Sequence, residues 1–298
     1  MKKWLVRIAL FLLVLTLSGA TVIYFGLREL GFFREPVFET GAPLLPELRH
    51  PAVLVFSKTN AFIHREAIPA AQSALRRIGK ARGWSVYLSD NGAIHNARDL
   101  QRFDAVVWNN VTGEVLDAGQ KRALRDYLEQ GGGFVALHSS GDSSHEDWPW
   151  YMKSIIRVRF VGHPMLPQFQ RATVRIEQPA DPIMAGEERA WTREDEWYSF
   201  AGSPRADGVR ILATLDEQSY QPEAFGKSLR MGADHPVIWK HCVGAGRVFY
   251  SAMGHTAESY AEPRYLQLLE RAVTWAARLE PQAAAGGAPL SCEEDAGG

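Results

Sequence analysis

Apolar positions fall in two registers along this chain. Short apolar runs at Ala52 to Phe56, Trp84 to Leu88, Asp104 to Trp108 and Phe134 to Leu137 have the length and content of buried strands. Between them, Glu66 to Arg82 carries Ile68, Ala71, Leu75 and Ile78 at helical spacing. Ala118 to Gln130 places Ala123, Leu124, Tyr127 and Leu128 on one face, ahead of Gly131, a natural helix stop. Strands alternating with helices predict parallel pairing through right-handed crossovers, an α/β fold. The later chain is richer in strand, at 173–176, 209–214, 237–239 and 248–252, and a closing helix is predicted from Arg264 to Arg278.

The ends of the chain follow other patterns. Residues 1–7 carry Lys2, Lys3 and Arg7, a short cytoplasmic stub. Residues 8–27 hold no charge and are long enough to span a bilayer as a helix. Positive charge ahead of the span places the exported domain on the far side, which predicts a single-pass protein of a bacterial inner membrane with its C-terminal domain in the periplasm. Ser18-Gly19-Ala20 offers the alternative of a cleaved signal and a secreted product. Residues 28–50 contain three prolines and read as a linker. Residues 51–279 form one domain, and 280–298 read as a disordered Ala/Gly-rich tail.

Composition narrows the function classes. The chain has 298 residues and a formal net charge of −1, which gives a nucleic-acid partner no electrostatic support. Two cysteines, Cys242 and Cys292, are too few and too far apart for a Cys-based zinc site, and they are expected to stay unpaired. Oligomeric state leaves no mark in the pattern.

The nine histidines change the picture more. Ligands of an open parallel sheet sit outside the carboxyl ends of its strands. The first predicted strand is followed by Lys58, Asn60 and His64, the third by Asn109 and Asn110, the fourth by His138, Ser139 and Asp142, and the last by His255. His163 follows an apolar pair, His235 introduces a strand, and Asp195 and Glu196 stand beside Trp197 and Tyr198. Loop histidines with carboxylates are the material of acid/base or metal sites. His138, His64, Glu196, Asp195 and Asp142 are the candidate catalytic groups. Lys58, Asn60, Asn109, Asn110, Ser139, Trp197 and Tyr198 are candidate substrate contacts, with the two aromatics a stacking face for a sugar. His163, His235 and His255 are candidate ligands for a divalent zinc or manganese ion. No nucleotide cofactor is expected. His95, His145 and His241 read as surface or packing residues.

The ordered set VLVFSKTNAFIHREAIP, FDAVVWNNVTGEVL, GGGFVALHSSGDS, RFVGHP, EDEWYSF, DHPVIWKHCVGAGRVFYSAMGHT and YLQLLERAVTWA resembles the trehalose-utilisation (ThuA-like) family. The resemblance implies a flavodoxin-like three-layer sandwich related to class I glutamine amidotransferases. His138 stands at the position where those relatives carry a nucleophilic cysteine, so covalent thiolate chemistry is not expected. It also implies carbohydrate catabolism on a trehalose-type or keto-glycoside substrate by acid/base chemistry, metal-assisted or not. The alternative is a non-catalytic sugar- or metal-binding module. The matching motif residues are His64, His138, His163, His235, His255, Asp142, Asp195 and Glu196. Ser139 and Ser140 depart from the alanines often found after the elbow histidine.

Overall fold

The computed structural model describes residues 2–186, 188–207, 209–280 and 292. In chain order the elements are helix α1 (Lys2–Glu29), strand β1 (Ala52–Phe56), helix α2 (Ala67–Arg82), β2 (Ser85–Ser89), a short α3 (Ala97–Leu100), β3 (Ala105–Asn109), α4 (Ala118–Glu129), β4 (Gly133–Leu137) and a short α5 (Pro149–Tyr151). There follow β5 (Phe160–Gly162), β6 (Phe169–Ile176), β7 (Ala190–Glu196), β8 (Ser199–Phe200), β9 (Arg210–Asp216), β10 (Glu223–Ala224), β11 (Lys227–Ser228), β12 (Pro236–Val243), β13 (Gly246–Ser251) and α6 (Pro263–Ala276).

A nine-stranded sheet runs in the order β2-β1-β3-β4-β13-β12-β9-β6-β7. The first five strands are parallel, as the apolar runs predict, and every residue of β1, β3 and β4 is buried. From β13 outward the pairing turns antiparallel. Register decides what the loops can do. Leu137 of β4 pairs with Asn109 of β3 and Ser251 of β13, so these three strands end level and their next residues emerge side by side.

Local chemistry explains the helix ends. Asp117 caps α4 through the amides of Gly119 and Gln120, while the Gln120 side chain accepts from the Asp117 amide, a reciprocal box. Gly83 closes α2 in the left-handed conformation.

Two expectations change. Cys242 and Cys292 form a disulfide; the expectation that they stay unpaired came from reading the end of the chain as free, whereas Cys292 lies buried against β12. Apart from Glu280 and Cys292, the tail lies outside the described residues. Residues 30–50 also do more than link. Glu39 pairs with the buried Lys58 and accepts from the Gly92 amide at 2.7 Å, and its carbonyl accepts from Gln120 at 2.7 Å. The segment is a strap laid along the domain.

Candidate active site: a histidine and carboxylate cluster over the parallel strands

His138 follows β4 directly with φ +48°, a left-handed conformation that costs a non-glycine residue about 1–3 kcal/mol and concentrates at functional positions. The Tyr250 hydroxyl donates to its carbonyl at 2.9 Å, and the Tyr198 ring packs on the imidazole at a centroid distance of 4.3 Å. Its Nδ1–H donates to the Ala252 carbonyl at 2.8 Å. In the neutral ring that bond leaves Nε2 with a lone pair, and Nε2 faces the centre of the cluster.

Two other groups reach the same point. His255 Nδ1 lies 3.0 Å from His138 Nε2, and Glu196 Oε2 lies 3.3 Å from His138 Nε2 and 3.0 Å from His255 Nδ1. The His64 ring completes the group, with one nitrogen from each of His64, His138 and His255 within 4.8 Å of the others. Ser139 Oγ supports His64 from below at 3.3 Å. That hydroxyl is fully buried, so it serves His64 and does not meet a ligand as a nucleophile.

Asp195 sets the position of His255 through the backbone. Its carboxylate accepts from the amides of Gly254 at 2.9 Å, His255 at 3.1 Å and Glu196 at 2.9 Å, from Ser259 Oγ at 3.2 Å, and it pairs with Arg193 at 3.0 Å. Gly254 has φ +114°, and a Cβ there would come within 2.5 Å of the Tyr260 hydroxyl, so the turn that delivers His255 needs glycine.

Electrostatics assign different states to the acidic and basic members. Burial raises the Glu196 carboxyl, but hydrogen bonds and charge from His138 and His255 outweigh it and hold the group far below the carboxylate range. Glu196 is therefore an anion, which suits an orienting or ligand role and not that of a proton-donating acid. Burial, reinforced by His138 and His255, pulls His64 well below the usual imidazole value, so it is neutral at pH 7.

The other candidates separate into joined and unjoined. His163 touches the cluster through the second oxygen of Glu196 at 3.2 Å, but the same Nδ1 donates to the Pro164 carbonyl, so it orients Glu196 from behind, as Gln168 also does. His235 does not join: its ring nitrogens are held by Glu217 at 2.8 Å and the Tyr198 carbonyl at 2.8 Å, and the side chain is fully buried. Asp142 caps the turn after His138 through Ser144, away from the cluster, and burial raises its carboxyl. Lys58 and Asn60 are spent on the strap and on the Glu114 carbonyl. Asn109 and Asn110 are buried and bond Ser57, Ile68 and Tyr260. Trp197 and Tyr198 are buried too, 1% and 3% exposed, so they cannot offer a sugar a stacking face. Trp197 instead donates to the Gln170 carbonyl, and Tyr198 backs His138. His95, His145 and His241 are buried packing residues.

Sequence reasoning missed Arg193, Gln168 and Ser259, and also Phe62 and Phe169, whose rings lie 4.8 Å from His64 and 5.0 Å from His255. The signal for Arg193 was present: along β7 the inward positions Trp191, Arg193 and Asp195 alternate with outward ones.

The chain is an α/β protein with an open sheet whose polar loops converge over the ends of its parallel strands, the edge where such sheets place their ligands. The chain belongs to the ThuA family, described as trehalose utilisation, whose profile matches residues 52–276. No curated protein matches it significantly. Among solved structures it is similar to a ThuA-like protein from Bacteroides uniformis, with 21% identity, a TM-score of 0.66, and coverage of 79% of this chain and 95% of that one. A ThuA-like protein from Parabacteroides merdae gives 18% identity, a TM-score of 0.60, and coverage of 78% and 92%. At these identities the likeness is one of fold.

Proposed function

We propose that this protein is a membrane-anchored enzyme of carbohydrate catabolism that uses a divalent metal site to direct proton transfer beside a carbonyl, on a keto-glycoside or related trehalose-type substrate. The observation that carries the reading is the triangle of His138 Nε2, His255 Nδ1 and Glu196 Oε2, with sides of 3.0, 3.0 and 3.3 Å. Donors bound at ~2.0–2.2 Å to one ion stand roughly 3.0–3.5 Å apart. Two imidazoles and a carboxylate with open positions suit zinc or manganese. The Ala252 carbonyl on His138 and the pair His163 and Gln168 on Glu196 are the outer partners that such ligands require.

A bound ion supplies a Lewis acid that polarises a carbonyl oxygen and acidifies the neighbouring C–H. This chain's residues do the rest. His64 lines the open cleft beside the cluster, in place to take that proton. Ser139 holds its ring, and Asp195 fixes the loop of His255. Isomerisation and elimination both begin with such a proton transfer.

The anchor reading is supported by α1, which is long and apolar enough to cross a membrane and carries Lys2, Lys3 and Arg7 in its first turns. The Cys242–Cys292 disulfide supports an oxidising compartment, hence a periplasmic domain. Incubation of the full chain with keto-glycosides and trehalose, with and without added zinc or manganese, tests the function. Metal-dependent conversion that falls at least 1000-fold in His138→Ala supports it. Tight sugar binding without product would instead favour a binding module.

A further inference from the structure

We propose that the glycoside this site takes carries an apolar, lipid-type aglycone, presented from the membrane that α1 enters. The inference rests on the reading of the cleft as a glycoside site and adds the class of the leaving part.

The entrance to the histidine cluster is an open cleft of about 500 Å³. His64 and His255 line it beside Phe62 and Phe169, Leu30 and Ile63 add to its apolar wall, and Arg65, Glu66, Glu194 and Glu258 contribute charged groups. Leu30 is the first residue after α1, so the wall of the cleft is continuous with the end of the membrane helix. That junction is docked: the Ile63 amide donates to the Leu30 carbonyl at 2.8 Å, and Arg65 bonds the Glu29 carbonyl and carboxylate. Gly31, at φ +98°, lies so close to Ala61 that a Cβ would overlap the Ala61 carbonyl. A loop free to swing away from α1 would not need that approach.

An apolar path leads from the membrane end to the chemistry. Phe32 packs on Phe62 at 5.8 Å, and Phe62 packs on His64 at 4.8 Å. On the other wall Phe169 packs on His255 at 5.0 Å. Leu30, Phe32 and Phe169 are still 38%, 41% and 38% exposed, so the path is an unfilled apolar surface. Tyr24 and Phe33 stack on each other beside it, in the position of an interfacial aromatic pair. A second sugar ring, with its hydroxyls, buries less apolar area along Leu30, Phe32 and Phe169 than an alkyl chain does. A sugar with an alkyl chain places its polar ring at the histidines and its chain along Leu30, Phe62 and Phe169, toward the bilayer.

The test uses the full chain in lipid nanodiscs, with empty nanodiscs as the partition control, and keto-glucosides bearing methyl or hexyl aglycones below micelle-forming concentration. Each buried methylene contributes about fourfold in affinity, so even partial immersion of the hexyl chain gives at least about tenfold tighter binding than methyl. In Leu30→Ser and Phe169→Ser the hexyl-to-methyl ratio is expected to drop below about threefold. Both residues are partly exposed, which keeps the variants foldable. Equal affinity for the two glycosides in the wild-type protein overturns the inference and leaves the glycoside reading standing, as does a ratio untouched by both substitutions. Binding of neither glycoside overturns both.

Discussion

Asp195→Asn separates the support of the site from its chemistry. Asp195 is fully buried and accepts from three backbone amides and Ser259 while paired with Arg193. Oδ1 receives the amides of Glu196 and His255, so an asparagine oxygen can keep those bonds. Oδ2 receives Gly254, Ser259 and Arg193, and an Nδ2 placed there meets the Gly254 amide and the guanidinium donor to donor. Breaking one side of a buried ion pair costs about 3–5 kcal/mol, and the stranded Gly254 amide lies within the same range of effects. For a domain of this size that loss lowers Tm by roughly 6–20 °C. The His255 backbone then shifts, and disturbing such a support typically weakens metal binding about 10- to 100-fold. Thermal unfolding followed by circular dichroism gives the first number and zinc titration the second. A Tm within 2 °C of wild type together with unchanged zinc affinity would refute the claim that Asp195 positions His255.

Other perturbations address separate parts of the account. His235→Ala is expected to destabilise by about 2–4 kcal/mol, because it leaves the buried Glu217 carboxylate short of a partner, while bound metal stays at the wild-type level; loss of metal would return His235 to the ligand set. Burial raises the Glu39 carboxyl, but the Lys58 and Gly92 hydrogen bonds outweigh it and leave the group below its usual 4.5. The stability it contributes is therefore present above pH 4.5 and lost as pH falls through the lowered folded value. Glu39→Gln should cost about 1–3 kcal/mol at pH 7, the same down to about pH 5, and progressively less below 4.5 by denaturant titration; a difference that stays constant below pH 4.5 would contradict that linkage.

The parallel half of the sheet was readable because β1, β3 and β4 are buried on both faces and so appear as short apolar runs. Strand β7 was not, because its inward positions include Arg193 and Asp195, and a strand whose buried face is charged looks like a loop. The loop histidines pointed to a site, but the sequence could not separate His255 from His235. Both precede or follow strands, and only the buried partner Glu217 marks one as structural. Lys58 and Asn60 looked like rim residues because the strap that consumes them resembled a Pro-rich spacer. The disulfide spans 50 residues and ends in an Ala/Gly-rich segment, so nothing local announced it.

The central claim is that His138, His255 and Glu196 hold one divalent ion. Metal content of the purified full chain, measured by mass spectrometry beside Glu196→Gln and His255→Ala, tests it most directly. The account predicts about one zinc or manganese per chain and at least a tenfold loss in both variants. A wild-type chain that is metal-free and also fails to bind added zinc or manganese at micromolar concentration would contradict it.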